Sequence, residues 1–412
     1  MNDPFPWAHA THPDWRMSTA LCLAQIEQAC RRGAGARATL GLLYLTDHYA
    51  DAAAGILATL RERTGVTHWV GAIGVGIVAG AAEYIDEPAM ALMLADFAPG
   101  DFQVFSGKSP PPARDARLPD GRRAAWTALL HADASTPDMA GIVRDMAGKL
   151  AGGRLFGGLS SSRHASTQIA DEILAGGLSG VVLSENVAVA GRVSQGCQPI
   201  GPVHRITAAQ GRLLSKLDDE PALDVLLHDI GAPDTLSAPG IVDTRPPRAM
   251  AGEPNNGPPA ARGERAATVQ MLQGTFVGIG KGEAFVRGDY LVRPLIGVDA
   301  RRRALALAAE LDAADHVAFC RRDRQAAQAD LVRACTELRD AIERGHGGMQ
   351  AVRGMVYISC LGRTGTLFGG PSAEMQLIRK QLGEVPLIGL FANGEICNDK
   401  LYWYTGVLAA FL

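Results

Sequence analysis

Apolar residues come along this chain in two alternating rhythms, short unbroken runs and stripes that recur every third or fourth place. Positions 18–32 carry Leu23, Ile26 and Cys30 at helical spacing, and 40–45 is an unbroken apolar run of buried-strand length. A helix over 49–63 follows, with Ala53, Ile56, Leu57 and Leu60 on one side, and then a glycine-bearing strand over 69–77. Strand, helix, strand comes again at 127–131, 139–150 and 155–158. Beyond it, 181–183 and 187–190 read as a hairpin turning at Ser184, Glu185 and Asn186, and 203–207 as a further strand.

The C-terminal third repeats this grammar. Strands are expected over 269–279, 290–298 and 317–320, then a helix with Ala327, Leu331, Ala334 and Leu338 inward and Asp323 as its N-cap. A strand at 355–359, a helix at 372–382 and a strand at 387–390 complete the chain's regular pattern. Positions 304–311 suit a helix by their alanine and leucine content and a strand by the alternation of Leu305 and Leu307. The fold class expected is α/β (mixed α+β), two related lobes with mixed sheets flanked by helices.

Composition narrows the picture. With 412 residues and 47% apolar content the chain can fill two to three cores of ordinary size. A net charge of -3 leaves no general cationic field for a phosphate backbone, which argues against nucleic acid as a partner. Seven cysteines without close pairs suit a reducing compartment, and the polar N-terminus and lack of long apolar runs suit a soluble cytoplasmic protein without membrane insertion. Proline, glycine, arginine and alanine dominate 243–268, a stretch with too little to bury to offset its ordering entropy. The expected organisation is therefore a helical extension at 1–36, a first domain at 37–242, a linker at 243–268 and a second domain at 269–412.

One pattern occurs twice. An apolar strand enters Gly389 and Gly394, with Asn393 and Glu395 beside the second glycine, and another enters Gly71 and Gly76 with Gly74 between them. Glycine lets backbone amides approach a ligand closely, so these residues, with Gly157 and Gly158, are candidates for the wall of a binding hollow. Close strand packing requires the same glycines. In a ligand with an ammonium and a carboxylate, Glu395 would take the first and Asn393 with the exposed amides the second. Tyr404, with Tyr402 and Trp403, could form an aromatic wall, although such residues commonly pack in a core.

At PLIGLFANGEI (386–396), LYWYTGVL (401–408), LFGGLSSS (155–162), GDYLVRPLIGVD (288–299) and VAFCRRD (317–323) the chain resembles the FIST family, the F-box and intracellular signal transduction domains, in a stand-alone bacterial form. The resemblance runs from about 37 to 230 for a FIST N part and from about 274 to 412 for a FIST C part. It implies a sensory module that binds a small molecule, with amino acids as proposed ligands, and that signals through a separate protein. Ala72 and Ser160 to Ser162 stand where the family carries Cys or another small polar residue and Asp, which points to the second domain as the functional half. The resemblance also implies an alternative, a haem-binding gas (nitric oxide) sensor, for which His48, His68 and His164 are the axial candidates.

Catalysis finds little support in the residues. Ser160, Ser161, Ser162 and His164 are close in sequence without a third group of defined geometry, and Cys360 and Cys397 read as packing thiols. The lysine of a phosphate loop is missing after Gly76 and Gly394. No enzyme activity, resident cofactor or metal is expected. A protein-interaction scaffold and symmetric self-association are the remaining readings.

Overall fold

In a computed structural model, residues 4–31, 38–232, 275–282, 285, 290–311 and 314–412 are described. Strand β1 (Trp7–Thr11) and helix α1 (Trp15–Arg31) lead into β2 (Leu40–Thr46), helix α2 (Ala53–Thr64) and β3 (His68–Gly74). β2 and β3 are parallel, which demands a crossover, and α2 supplies it while burying Ala53, Ile56, Leu57 and Leu60. The chain continues as β4 (Gly76–Ala79) and β5 (Ala82–Ile85) and returns as β6 (Ala89–Ala95), antiparallel beside β2.

A second round follows the same course. It comprises β7 (Phe102–Phe105), β8 (Thr127–Asp133), α3 (Met139–Gly148), β9 (Arg154–Ser160), β10 (Thr167–Ala170), β11 (Ile173–Ala175) and β12 (Leu178–Leu183). Strand β13 (Val189–Ser194) opens a third round, which the chain interrupts.

The interruption, 196–327, is a compact unit of its own. It contains β14 (Gln198–Pro199), β15 (His204–Gln210), β16 (Leu213–Leu217), β17 (Glu220–Pro221), α4 (Ala222–Asp229), β18 (Thr275–Gly280), β19 (Leu291–Asp299), β20 (Ala304–Leu307) and β21 (His316–Arg321). β21, β15, β16, β20, β19 and β18 pair in that order and β18 pairs back to β21, so the sheet closes and loses its edges. Leu214, Leu226, Val277, Leu305, Val317 and Phe319 fill its core. The doubtful 304–311 stretch supplies strand β20, as the alternation of Leu305 and Leu307 favours.

Helix α5 (Arg324–His346), capped by Asp323 through the Ala326 amide at 2.9 Å, then resumes the third round. β22 (Gly354–Cys360), α6 (Ala373–Leu382), β23 (Leu387–Ala392), β24 (Glu395–Cys397), β25 (Lys400–Tyr402) and β26 (Gly406–Phe411) complete it. Every round hands its fourth strand to a neighbouring sheet: β4 pairs with β23, β10 with β3, and β24 with β9. Three sheets of like order result, β1-β6-β2-β3-β10-β11, β7-β12-β8-β9-β24-β25 and β13-β26-β22-β23-β4-β5.

This exchange corrects two expectations. Two related lobes divided at 243–268 would each close on themselves, whereas the strands of 354–411 hydrogen-bond to β4, β9 and β13, and the compact unit is 1–195 together with 328–412. The expected linker at 243–268 lies outside the described residues. The expected hairpin at 181–190 is absent among the described residues, because β12 pairs with β7 and β8 while β13 pairs with β26. The fold is mixed α+β, and no helix of the described residues is long and apolar enough to cross a membrane.

Candidate functional site

The motif glycines hold the three rounds together. Gly71, Gly157 and Gly389 stand opposite Leu43, Leu130 and Tyr357 in the three parallel pairs. A Cβ at each would lie 1.7, 1.9 and 1.7 Å from the partner's carbonyl oxygen, so no other residue fits. Side chains fill the space at the others: a Cβ on Gly74 would meet the Ser161 hydroxyl, one on Gly76 the Phe391 ring, one on Gly158 the Ile358 side chain and one on Gly394 that of Leu159. These glycines pack sheet on sheet.

Asn393 and Glu395 are not brought to a common hollow. Asn393 is exposed at the bend, while Glu395 is 0% exposed beside Gly158 in the register of β24 and β9. Its Oε2 accepts the Thr405 amide at 3.0 Å and the Thr405 hydroxyl at 2.8 Å, and its Oε1 has no well-formed hydrogen bond and neighbours the Cys360 thiol. Burial pushes the Glu395 carboxyl up to about 8, against the pull of Thr405, Cys360 and Arg363, so it is protonated at neutral pH. Tyr404 is half-buried with a left-handed backbone (φ 64°), and Tyr402 is buried. Ser160 and Ser161 donate to the carbonyls of Ile73 and Phe391 at 2.5 Å each, while His164 is exposed, so that run forms no catalytic set.

Open space lies instead where neighbouring sheets meet, at the entry ends of the parallel strands. A first groove of about 660 Å3 runs between the start of β3 and strand β7, lined by Thr39, Val66, His68, Phe102, Gln103, Ser109 and Asp171 among others. His68 Nδ1 lies 2.9 Å from Asp171 Oδ2, and Asp171 Oδ1 accepts the Trp69 amide at 2.8 Å. A second groove of about 430 Å3 occupies the corresponding place between β9 and β13, lined by Thr127, Arg154, Arg192, His346, Cys397 and Asn398 over a floor that includes Phe156 and Val407. At the third such place Trp7 stacks on His9 and lies against Gly80.

The correspondence is residue by residue. The amides of Asp171, Asn398 and Gly80 donate to the carbonyls of Trp69, Leu155 and Leu387, each at 2.8 Å. All three have left-handed backbones, with φ of 59°, 55° and 56°. His68, Arg154 and Pro386 therefore stand at one equivalent position and Asp171, Asn398 and Gly80 at another.

The sequence profile of the FIST N domain matches residues 39–220 and that of the FIST C domain residues 260–398. The chain belongs to the FIST family. It is similar to an uncharacterized protein of Mycobacterium tuberculosis, 28% identical over 421 residues with 98% of each chain covered. An uncharacterized protein of Mycobacterium bovis is 27% identical over 417 residues, covering 98% of this chain and 97% of that one. FIST domains are generally associated with small-ligand sensing in signal transduction.

Both of these grooves of the FIST protein use residues that local sequence pattern did not single out, among them Asp171, Arg154 and Asn398. A signal was present: Ile169-Ala170-Asp171-Glu172 and Ile396-Cys397-Asn398-Asp399 are alike in form, and each follows a glycine strand. Of the three histidines weighed as haem ligands, His68 lines a groove, His48 sits 3.7 Å from Asp47, and His164 is exposed on a loop.

Proposed function

We propose that this FIST protein is a cytoplasmic small-ligand-binding sensor, that its ligand is an amino acid or a similar small zwitterion held in the first groove, and that a separate signalling protein reads the bound state. The observation that carries this reading is the His68–Asp171 couple lining a cavity of about 660 Å3, a volume within the usual range for small-molecule sites. A carboxylate offers about four acceptor positions, so Asp171 retains capacity for an ammonium group after serving His68, the Trp69 amide and the Arg61 guanidinium, which lies 3.6 Å from Oδ1. His68, Thr39 and Gln103 supply donors for a carboxylate, and Phe102 offers an apolar wall. The side chains of His68 and Asp171 are 50% and 36% exposed, so a solute can reach both. Glu395 is no longer the favoured anchor, because a buried, protonated acid engaged by Thr405 offers no charge to an ammonium.

The test is a thermal-unfolding screen of the full chain with the twenty amino acids and small polar metabolites. A ligand at a hundredfold excess over its Kd stabilises by about 2.7 kcal/mol, and Asp171→Asn or His68→Ala should remove that shift while Glu395→Gln keeps it. Silence across the panel, or a shift that survives both groove variants, rejects the reading.

One observation favours a second reading, haem binding. His68 binds Asp171 through Nδ1, the outer-shell arrangement common for a metal-ligating imidazole, which leaves Nε2 as the coordinating atom. Haem bound there would supply an iron site for a gas molecule. Titration of the protein with haem decides it: a Soret band lost in His68→Ala supports this reading, and no band excludes it.

A further inference from the structure

We infer that the second groove is a binding site for a small oxyanion, a metabolite bearing carboxylate or phosphate groups, distinct from the zwitterion site proposed for the first. The argument rests on equivalent positions that carry different charges. In the first groove that position carries His68, whose Nδ1 lies 2.9 Å from the Asp171 carboxylate, and Asp171 lies 3.6 Å from the Arg61 guanidinium as well. In the second the cation is Arg154, always charged, and the carboxylate is replaced by the neutral amide of Asn398 on the same backbone geometry. Among the described residues Arg154 forms no ion pair, and no Asp or Glu lines the groove.

Two further groups add donors. Arg192 lines the groove; among the described residues its Nη1 donates to the Gly191 carbonyl at 2.7 Å and its Nε lies 3.6 Å from Glu337, which also accepts from Arg333 at 2.8 Å. His346, at the end of α5, lines it as well and can donate from a ring N–H. Two guanidinium groups present planar forks that match carboxylate and phosphate oxygens, and the cavity of about 430 Å3 admits a small metabolite rather than a polymer. The apolar floor at Phe156 and Val407 lowers the local dielectric and strengthens the attraction.

The experiment is calorimetric titration of the full chain with inorganic phosphate and with succinate, each at constant ionic strength set by sodium chloride. Saturable binding of at least one probe is expected, and the two arms separate phosphate from carboxylate chemistry. Asn398→Asp, which installs the residue that the first groove carries at that place, should neutralise Arg154 and weaken binding about tenfold or more, about 1.4 kcal/mol. Arg154→Gln should do the same, while His68→Ala leaves the affinity unchanged and so keeps this site separate from the first. Unchanged melting curves of the variants confirm their folding. Absence of saturable binding for both probes, or affinity unaltered in both Asn398→Asp and Arg154→Gln, overturns the inference whatever the amino-acid screen returns.

Discussion

The outer faces of the first and third rounds attach their helices by opposite means. Leu43 opposite Gly71 corresponds to Tyr357 opposite Gly389, and Leu45, two residues on along β2, to Ser359 on β22. The leucines join Cys22, Leu23, Ile56, Leu57 and Leu60 of α1 and α2 in an apolar cluster. Tyr357 and Ser359 instead donate to the two oxygens of Glu374 on α6, at 2.6 and 2.9 Å, and Arg363 donates to the same carboxylate at 2.8 Å. Arg363 is 1% exposed and reaches on to Ser194, whose hydroxyl donates to Asp330 of α5 at 2.9 Å. A backbone fixed by close-packed glycines thus accepts either an oily or an ionic helix layer. The ionic layer holds only while every partner is present, because a buried charge left alone costs more than the pair contributes.

The largest effect expected breaks this comparison directly. Arg363→Ala leaves Glu374 buried beside two hydroxyls without its cation and should cost about 3–5 kcal/mol in guanidinium unfolding. Leu45→Ala in the first round should cost about 2–5 kcal/mol through a cavity. The two layers differ in rescue: Arg363→Met combined with Glu374→Met should recover part of the loss, since apolar groups replace the buried ion pair, while the Tyr357 and Ser359 hydroxyls left without their acceptor keep the rest. A double variant as unstable as Arg363→Ala would mean that the charges themselves hold α6.

The second and third rounds differ at one inner position, and a pH series sharpens that difference. Gln168 on β10 and Glu395 on β24 occupy equivalent registers, opposite Ala72 and Gly158. Gln168 is neutral at every pH and accepts the Ser179 hydroxyl at 2.7 Å. Glu395 has its folded value raised to about 8, above its unfolded value of 4.5, so the folded state binds the extra proton between them. The contribution of Glu395 is fully present below 4.5 and is lost as pH rises toward 8. Glu395→Gln should therefore stabilise at pH 8 by roughly 3–4 kcal/mol and have a much smaller effect at pH 4.5. Equal effects at both pH values would show that Glu395 is already ionised in the folded protein.

Much of the first two rounds was legible because their elements announce themselves locally: the apolar run at 40–45, the stripe of α2 and the glycine strands survive as β2, α2, β3 and β9. The third round was legible element by element but not as a round, since 196–327 separates β13 from β22. Strand exchange was hidden altogether. Nothing local in Ile77 or Ile396 states that one will pair in the sheet of β23 and the other in that of β9, because that choice is made by distant registers. The same limit misdirected the site. Glycine beside acid at 394 and 395 suggests an open hollow, but strand alternation turns Glu395 inward against Gly158. The grooves arise where edge strands β7 and β13 approach another sheet, and edge positions leave no mark in a local pattern.

The smallest effect concerns the interior, where Tyr44, His131 and Ile358 stand at the same position of the three rounds. Tyr44 and His131 hydrogen-bond at 3.0 Å between the hydroxyl and Nε2, whereas Ile358 carries no polar atom there. His131 is 0% exposed and among the described residues its Nδ1 has no hydrogen-bond partner, so there the Tyr44 hydroxyl alone satisfies the ring. Tyr44→Phe should cost about 1–3 kcal/mol, the penalty of one unsatisfied buried donor or acceptor, with little change in volume. Burial also holds His131 at about 3, below its ordinary 6.5, so the unfolded chain takes up the proton first and stability falls as pH drops from 6.5 toward 3. His131→Leu, which makes the second round resemble the third, should remove that acid sensitivity. Once His131 is gone, Tyr44→Phe should be close to neutral or stabilising, because no ring nitrogen remains to be satisfied. A double-mutant cycle measured at pH 7 reads this coupling, and additive losses from the two substitutions would show that the hydroxyl and the ring do not depend on one another.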